Sequence, residues 1–170
     1  MNIVIFGMDN SGKTTLGNNL KNYLDDIYPA TYVHSLGNVP LDDMIKFIET
    51  ELLPPGAEQF KIFDRFPIIE EEVYGRLLRG ESKFDNLEVG YKEKQLAKID
   101  LFIYCDPGFD SITNWQGREQ MDGVIDNAKK LYKAYNKLVK ELTKKNYNIK
   151  TYNFNTDDFR TLLEMPEWIQ

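Results

Sequence analysis

The sequence predicts an α/β protein built on an open parallel sheet, and three observations support this. Apolar runs of strand length recur along the 170 residues, and most are followed by a stretch with helical spacing. Between the first such run and the first helix, residues 7 to 14 read "GMDNSGKT", a glycine-rich loop ending in lysine and threonine.

Ile3, Val4, Ile5 and Phe6 form a continuous apolar run, as a strand buried on both faces requires. After the loop, Leu16, Leu20, Tyr23 and Leu24 recur at helical spacing. "ATYVHS" (30–35) reads as a second strand, and "LDDMIKFIETEL" (41–52) as a helix entered after Pro40. "FKIFD" (60–64) is a third strand, set off by the break at Pro54, Pro55 and Gly56. Helical stretches follow through "IIEEEVYGRLLRG" and around "GYKEKQLAK". "DLFIYCD" (100–106) is a fourth strand, closed by Pro107 and Gly108. Across 124–145, Val124, Ala128, Leu131, Tyr132, Tyr135, Leu138, Val139 and Leu142 make an apolar helical stripe, and "NIKTYNF" (148–154) reads as a fifth strand.

Right-handed crossovers between such strands place helices on both faces, a three-layer sandwich around a five-stranded parallel sheet. No repeat, low-complexity tract or linker divides the chain, so 1–170 reads as a single domain. Ligands of such sheets bind beyond the carboxyl ends of the strands. The informative segments are therefore Gly7 to Thr15, His34 to Gly37, Asp64 to Phe66, Asp106 onward and Asn153 to Asp157.

Composition narrows the partners. With 21 Lys and Arg against 27 Asp and Glu, the net charge is −6, which argues against an extended footprint for a nucleic-acid polymer. The opening "MNIVIFG" lacks the charged start and apolar core of a signal peptide, and no apolar stretch reaches the length of a membrane span, so a cytoplasmic protein with no membrane association is expected. The single cysteine, Cys105, excludes an internal disulfide and a thiolate zinc cluster, and within "LFIYCD" it reads as a buried thiol.

The loop fits G-x-x-x-x-G-K-[ST], in which backbone N–H groups close around phosphate oxygens at the positive end of the next helix. Gly7, Asn10, Ser11, Gly12, Lys13, Thr14 and Thr15 are the candidate nucleotide-binding residues, with Lys13 on the β and γ phosphates and the Thr14 hydroxyl on Mg²⁺. Asp64 and Arg65 end the third strand, where a carboxylate can hold Mg²⁺ and a guanidinium can grip phosphate. A local ion pair with Asp64 capping the next helix is the alternative. The guanine-reading pattern N-K-x-D of switch GTPases is missing, since the only near match, "NKLV" (136–139), lies inside the long helix and ends in valine.

On these residues the chain resembles thymidylate kinases. Residues 7–15 are similar to their G-x-D-x-x-G-K-[ST]-T loop, and Asp64-Arg65-Phe66 resembles their D-R-Y/H/F motif. "DRFPIIEEEVYG" (64–75) is similar to the D-R-x-x-x-S-E-x-V-Y-G stretch of compact, phage-type relatives. "KIDLFIYCDP" resembles the strand before their lid, and "GREQMDGVIDNAKKLYKAYNKL" the arginine-bearing lid and the helix after it. The resemblance implies the P-loop nucleoside triphosphate hydrolase fold of the nucleotide kinase type, with a lid at about 113–125. It implies ATP as phosphoryl donor, Mg²⁺ as cofactor, and an assembly that admits a homodimer. It places Asp9 near the acceptor's sugar, Arg65 on the acceptor phosphate and Arg118 over the transferring group. The chain departs from the family after the second strand, where "HSLGNVP" (34–40) stands in place of R-E-P-G-G-T, and at Ile69, where a serine is usual.

A nucleoside 5′-hydroxyl must lose a proton as it attacks, whereas a monophosphate needs only cations to hold it. The resemblance puts a nucleoside kinase's base near the end of the second strand, where this chain has His34 and Ser35. Arg65, Arg76 and Arg79 flank the acceptor helix. The expected activity is therefore a nucleoside monophosphate kinase passing the γ-phosphoryl of ATP to a deoxynucleoside monophosphate such as dTMP or a modified pyrimidine analogue. Lys13, Asp64 and Arg118 are its catalytic candidates. A deoxynucleoside kinase with Asp64 as base is the alternative, and a non-catalytic nucleotide-binding module is the alternative of another class. Phe66 and Tyr74 are candidates to stack on the base, as is Trp115, against the competing reading of core aromatics. His34 reads as a satisfied polar contact, and the run Glu70 to Glu72 as a largely solvated helix face.

Overall fold

The computed structural model describes residues 1–35, 37–114 and 124–163. Five strands, β1 (Asn2–Phe6), β2 (Ala30–His34), β3 (Phe60–Asp64), β4 (Leu101–Cys105) and β5 (Ile149–Tyr152), form one sheet in the order β2-β3-β1-β4-β5. Every neighbouring pair is parallel. The continuous apolar runs occupy the centre: all five residues of β1 and of β4 are buried, whereas the edge strands β2 and β5 are partly exposed.

Alternation along β1 divides the core. Ile3 and Ile5 pack with Leu16, Leu20 and Leu24 of α1 (Lys13–Asp25), while Val4 and Phe6 pack with α2 (Leu41–Glu51) and α7 (Ala128–Lys144) on the opposite face. Helices therefore cover both faces, as the strand pattern predicts. Among the described residues, no helix is long and apolar enough to cross a membrane.

Between β3 and β4 the chain runs through α3 (Pro67–Glu70), a π-helical turn (Glu71–Gly75) and α4 (Arg76–Arg79), then α5 (Tyr91–Leu96). The stretch "DRFPIIEEEVYG" is one residue longer than the pattern it resembles, and a π turn is how a helix absorbs one extra residue without losing its ends. Helix α6 (Phe109–Thr113) follows β4 and was not anticipated, nor were the short 3₁₀ turns Lys83–Asn86 and Phe159–Leu162. Four to five residues rarely carry enough hydrophobic period to be seen in sequence. The last long helix begins at Ala128 rather than 124, behind a turn that still buries Val124.

Candidate active site

The carboxyl ends of β1 and β3 lie side by side, with Ile5 in register with Asp64 and the Arg65 N–H donating to the Ile5 carbonyl at 2.8 Å. The glycine-rich loop thus faces the Asp-Arg pair. Gly7, at φ 143°, leaves β1 so close to β4 that an added Cβ would stand 2.6 Å from the Cys105 carbonyl oxygen. Gly12, at φ 88°, caps α1, whose first residues include Lys13, Thr14 and Thr15. The helix therefore points its positive end into the loop. Asn10, also at positive φ, ties the loop to α6 by donating to the Ile112 carbonyl at 3.1 Å. The buried Ser11 hydroxyl has no hydrogen-bond partner among the described residues.

Lys13 is 5% exposed, with its ammonium donating to the Met8 carbonyl at 2.6 Å and standing 4.0 Å from Asp9. Burial, reinforced by the Arg65 charge, pushes its pKa below the ordinary lysine value, against the pull of Asp9, Glu70 and Asp64. A lysine held over the loop by a carbonyl is placed to transfer its contacts to phosphate oxygens.

Asp64 is fully buried, and its Oδ2 accepts from the Thr14 hydroxyl at 2.7 Å and the Tyr32 hydroxyl at 2.5 Å, with His34 Nδ1 at 3.3 Å. Burial works to raise this carboxyl, but the Tyr32 and Thr14 hydrogen bonds and the charges of Lys13 and His34 hold it below its usual range. Its Oδ1 is buried without a partner among the described residues. That orphan oxygen beside the Thr14 hydroxyl fits Mg²⁺, which takes one or two carboxylates and completes its shell with phosphate oxygens and water. No group of three or more carboxylate, imidazole or thiolate side chains converges among the described residues, and such a site requires none.

Arg65 follows at φ 70°, a left-handed conformation that costs a non-glycine residue energy and turns the guanidinium back over the loop. It is paired with Asp9 and, at 3.4 Å, with Glu70. Burial works against its charge, but Glu70 and Asp9 hold its pKa above the ordinary value. Glu70 in turn accepts from the Tyr135 hydroxyl at 3.2 Å, and burial raises its pKa despite Arg65 and Lys13. The Tyr74 ring packs edge-on to Tyr135, with centroids 6.1 Å apart, and its buried hydroxyl has no partner among the described residues.

Several expectations are corrected. Phe66 is no platform for a base: it is fully buried at the extended N-cap of α3, edge-on to Phe63 at 5.5 Å. Arg76 is engaged by Glu72 and Asp85, and Arg79 by Glu71, so both guanidinium groups are paired with carboxylates of the same β3–β4 connection. The acidic run is not a solvated face, since each carboxylate meets a cation and Glu71 is buried. Cys105 is buried, its thiol pushed up to about 12 by loss of solvent. Arg118, Trp115 and most of the lid at 113–125 lie outside the described residues.

Sequence reading missed Tyr32, Glu70 and Tyr135 as members of this cluster. The register His34 opposite Asp64 puts Tyr32 on the same face two residues earlier, which is visible only once β2 is paired with β3.

No protein-family model and no curated protein matches the chain. Solved structures do. The YorR protein from Bacillus subtilis, in complex with phosphorylated GDP, superposes with a TM-score of 0.61 at 17% identity, over 94% of this chain and 90% of that one. Deoxyadenosine kinase from M. mycoides with bound dATP gives 0.58 at 16% identity, over 95% of each chain. Thymidylate kinase from Ehrlichia chaffeensis gives 0.54 at 15%, over 95% of this chain and 93% of that one. The fold is that of the P-loop nucleotide kinases.

Proposed function

We propose that this chain is an ATP-dependent nucleotide kinase that transfers the γ-phosphoryl group to a deoxynucleoside monophosphate, with dTMP or a modified pyrimidine analogue as acceptor. The observation that carries the reading is Arg65, a strand-end guanidinium turned by its positive φ over a loop that holds Lys13 and Thr14. In this reading the acceptor phosphate displaces one carboxylate from Arg65, and its oxygen attacks the γ-phosphorus as the bond to the β-bridging oxygen breaks. Lys13 stabilises the charge that develops there, and Arg118 supplies a further cation. Asp64 and Thr14 would hold Mg²⁺, which would supply charge neutralisation on the phosphates.

A deoxynucleoside kinase is the second reading, and Glu70 is the observation that favours it. A 5′-hydroxyl needs a carboxylate to take its proton, and a half-buried glutamate with raised pKa suits that role better than Asp64, which is held ionised by two hydroxyls. The fold neighbours bind different nucleotides, which supports a nucleotide site without choosing a base.

The deciding experiment is ATP consumption against every nucleoside and nucleoside monophosphate. Turnover with a deoxynucleoside monophosphate alone is the expected result; turnover with a nucleoside, abolished in Glu70→Gln, would replace it by the second reading. ATP binding without acceptor-dependent turnover would reduce the protein to a binding module.

A further inference from the structure

Gly17 lies in the interior of α1, where glycine is unfavourable by about 1 kcal/mol relative to alanine and therefore calls for a reason. The reason is Tyr32. A Cβ on Gly17 would stand 2.3 Å from the Tyr32 Cε2 and 3.0 Å from its Cδ2, so the tyrosine ring lies flush on the helix in the space a side chain would fill. From that seat its hydroxyl reaches across from β2 to donate to Asp64 Oδ2 at 2.5 Å. The same oxygen takes the Thr14 hydroxyl, while the buried Oδ1 has no partner among the described residues. A carboxylate at a strand end can turn about its side-chain torsions; two hydroxyls on Oδ2, with the exposed His34 Nδ1 3.3 Å from the same atom, stop that turn.

We propose that Tyr32 is a positioning residue for the metal of the donor nucleotide: seated in the gap left by Gly17, it pins Asp64 through Oδ2 and leaves Oδ1 as the oxygen offered to Mg²⁺. The inference rests on the phosphoryl-donor reading above and assigns it a support from the edge strand. Thr14 alone cannot do this work. Its hydroxyl is itself a ligand candidate, and a carboxylate held only by that hydroxyl moves whenever the first turn of α1 adjusts to phosphate. Tyr32 belongs to a different element, anchored by the β2–β3 ladder, and so fixes Asp64 independently of the loop. Groups that orient metal ligands from behind commonly contribute about 10- to 100-fold to metal affinity or activity.

The test is Mn²⁺ uptake, read from the paramagnetic resonance signal of the free ion, with protein in excess over a non-hydrolysable ATP analogue. Tyr32→Phe keeps the ring and removes the hydroxyl; we expect Mn²⁺ held about tenfold more weakly in the analogue complex. Affinity for the analogue in chelator should be unchanged. Gly17→Ala, which strengthens the helix but displaces the ring, should weaken Mn²⁺ in the same direction. Added to Tyr32→Phe, it should weaken Mn²⁺ no further, because no hydroxyl is left to displace. Wild-type Mn²⁺ affinity in Tyr32→Phe would overturn the inference while leaving the nucleotide site standing. An equal loss of metal-free and metal-loaded analogue would also overturn it, by making Tyr32 a general prop of the loop. A parent protein that binds no analogue at all would overturn the phosphoryl-donor reading, and this inference with it.

Discussion

Replacing Arg65 with alanine removes the guanidinium that lies between Asp9 and Glu70 and, in the proposed reaction, grips the acceptor phosphate. A charge-assisted contact of this kind contributes about 1.5 to 3 kcal/mol. Acceptor affinity should therefore fall roughly 10- to 100-fold, while affinity for an ATP analogue is unchanged. The structure adds a second consequence, on stability. At φ 70° neither arginine nor alanine is at ease, so Arg65→Gly should be more stable than Arg65→Ala by about 1 kcal/mol with the same loss of acceptor binding.

The third consequence of this substitution is pH-dependent. Burial already holds Glu70 above its ordinary pKa against the pull of Arg65 and Lys13. A raised folded-state pKa means that the contribution to stability is present at low pH and lost as pH climbs through the folded value. Without Arg65 that value rises further, so the deficit of Arg65→Ala relative to the parent should widen between about pH 5 and about pH 8. Denaturant unfolding at the two pH values, with calorimetric titration of dTMP, thymidine and the ATP analogue, makes the measurement. A mutant that loses the ATP analogue but keeps dTMP would refute the acceptor role of Arg65. A deficit that shrinks at the higher pH would refute the electrostatic account of Glu70.

Lys13→Ala should lower turnover by about 10² to 10³ while the thermal melt stays cooperative, since the lysine faces developing charge and its removal costs the loop's backbone one hydrogen bond, at the Met8 carbonyl; turnover within tenfold of the parent would sink its assignment. Gly7→Ala should unfold at markedly lower denaturant and lose ATP binding, because a Cβ there meets the Cys105 carbonyl oxygen at 2.6 Å, an atom of the central sheet that cannot move aside. Cys105, buried with its thiol pushed up to about 12, should resist a thiol-specific reagent in the native protein at about pH 8 and react once unfolded; rapid native labelling would contradict the burial. Arg118→Ala should lower turnover with little change in ATP-analogue affinity, and an unchanged rate would remove Arg118 from the mechanism.

The layered α/β class, all five strands and the glycine-rich loop were legible in the sequence, because each of these is written in contiguous residues. Buried parallel strands must be unbroken apolar runs, as Ile3 to Phe6 and Leu101 to Cys105 are, and a loop that closes on phosphate with its own backbone needs only its own spacing of Gly7, Gly12, Lys13 and Thr14. Everything else depends on which side chains meet from afar. Tyr32 reaches Asp64 across 32 positions, Arg65 reaches Asp9 across 56, and Tyr135 reaches Glu70 across 65. Read singly, Tyr32 is an edge-strand aromatic, Gly17 a weak spot in a helix, and Glu70 to Glu72 a stretch of surface charge. Sheet order and the π turn bring them instead against particular partners: a hydroxyl on a buried carboxylate, a ring in place of a Cβ, and three acids each beside its own cation. Local chemistry is legible in a local string, whereas a pairing energy exists only after the fold has set the distance, and Coulomb and hydrogen-bond terms fall away too steeply with distance for composition to stand in for it.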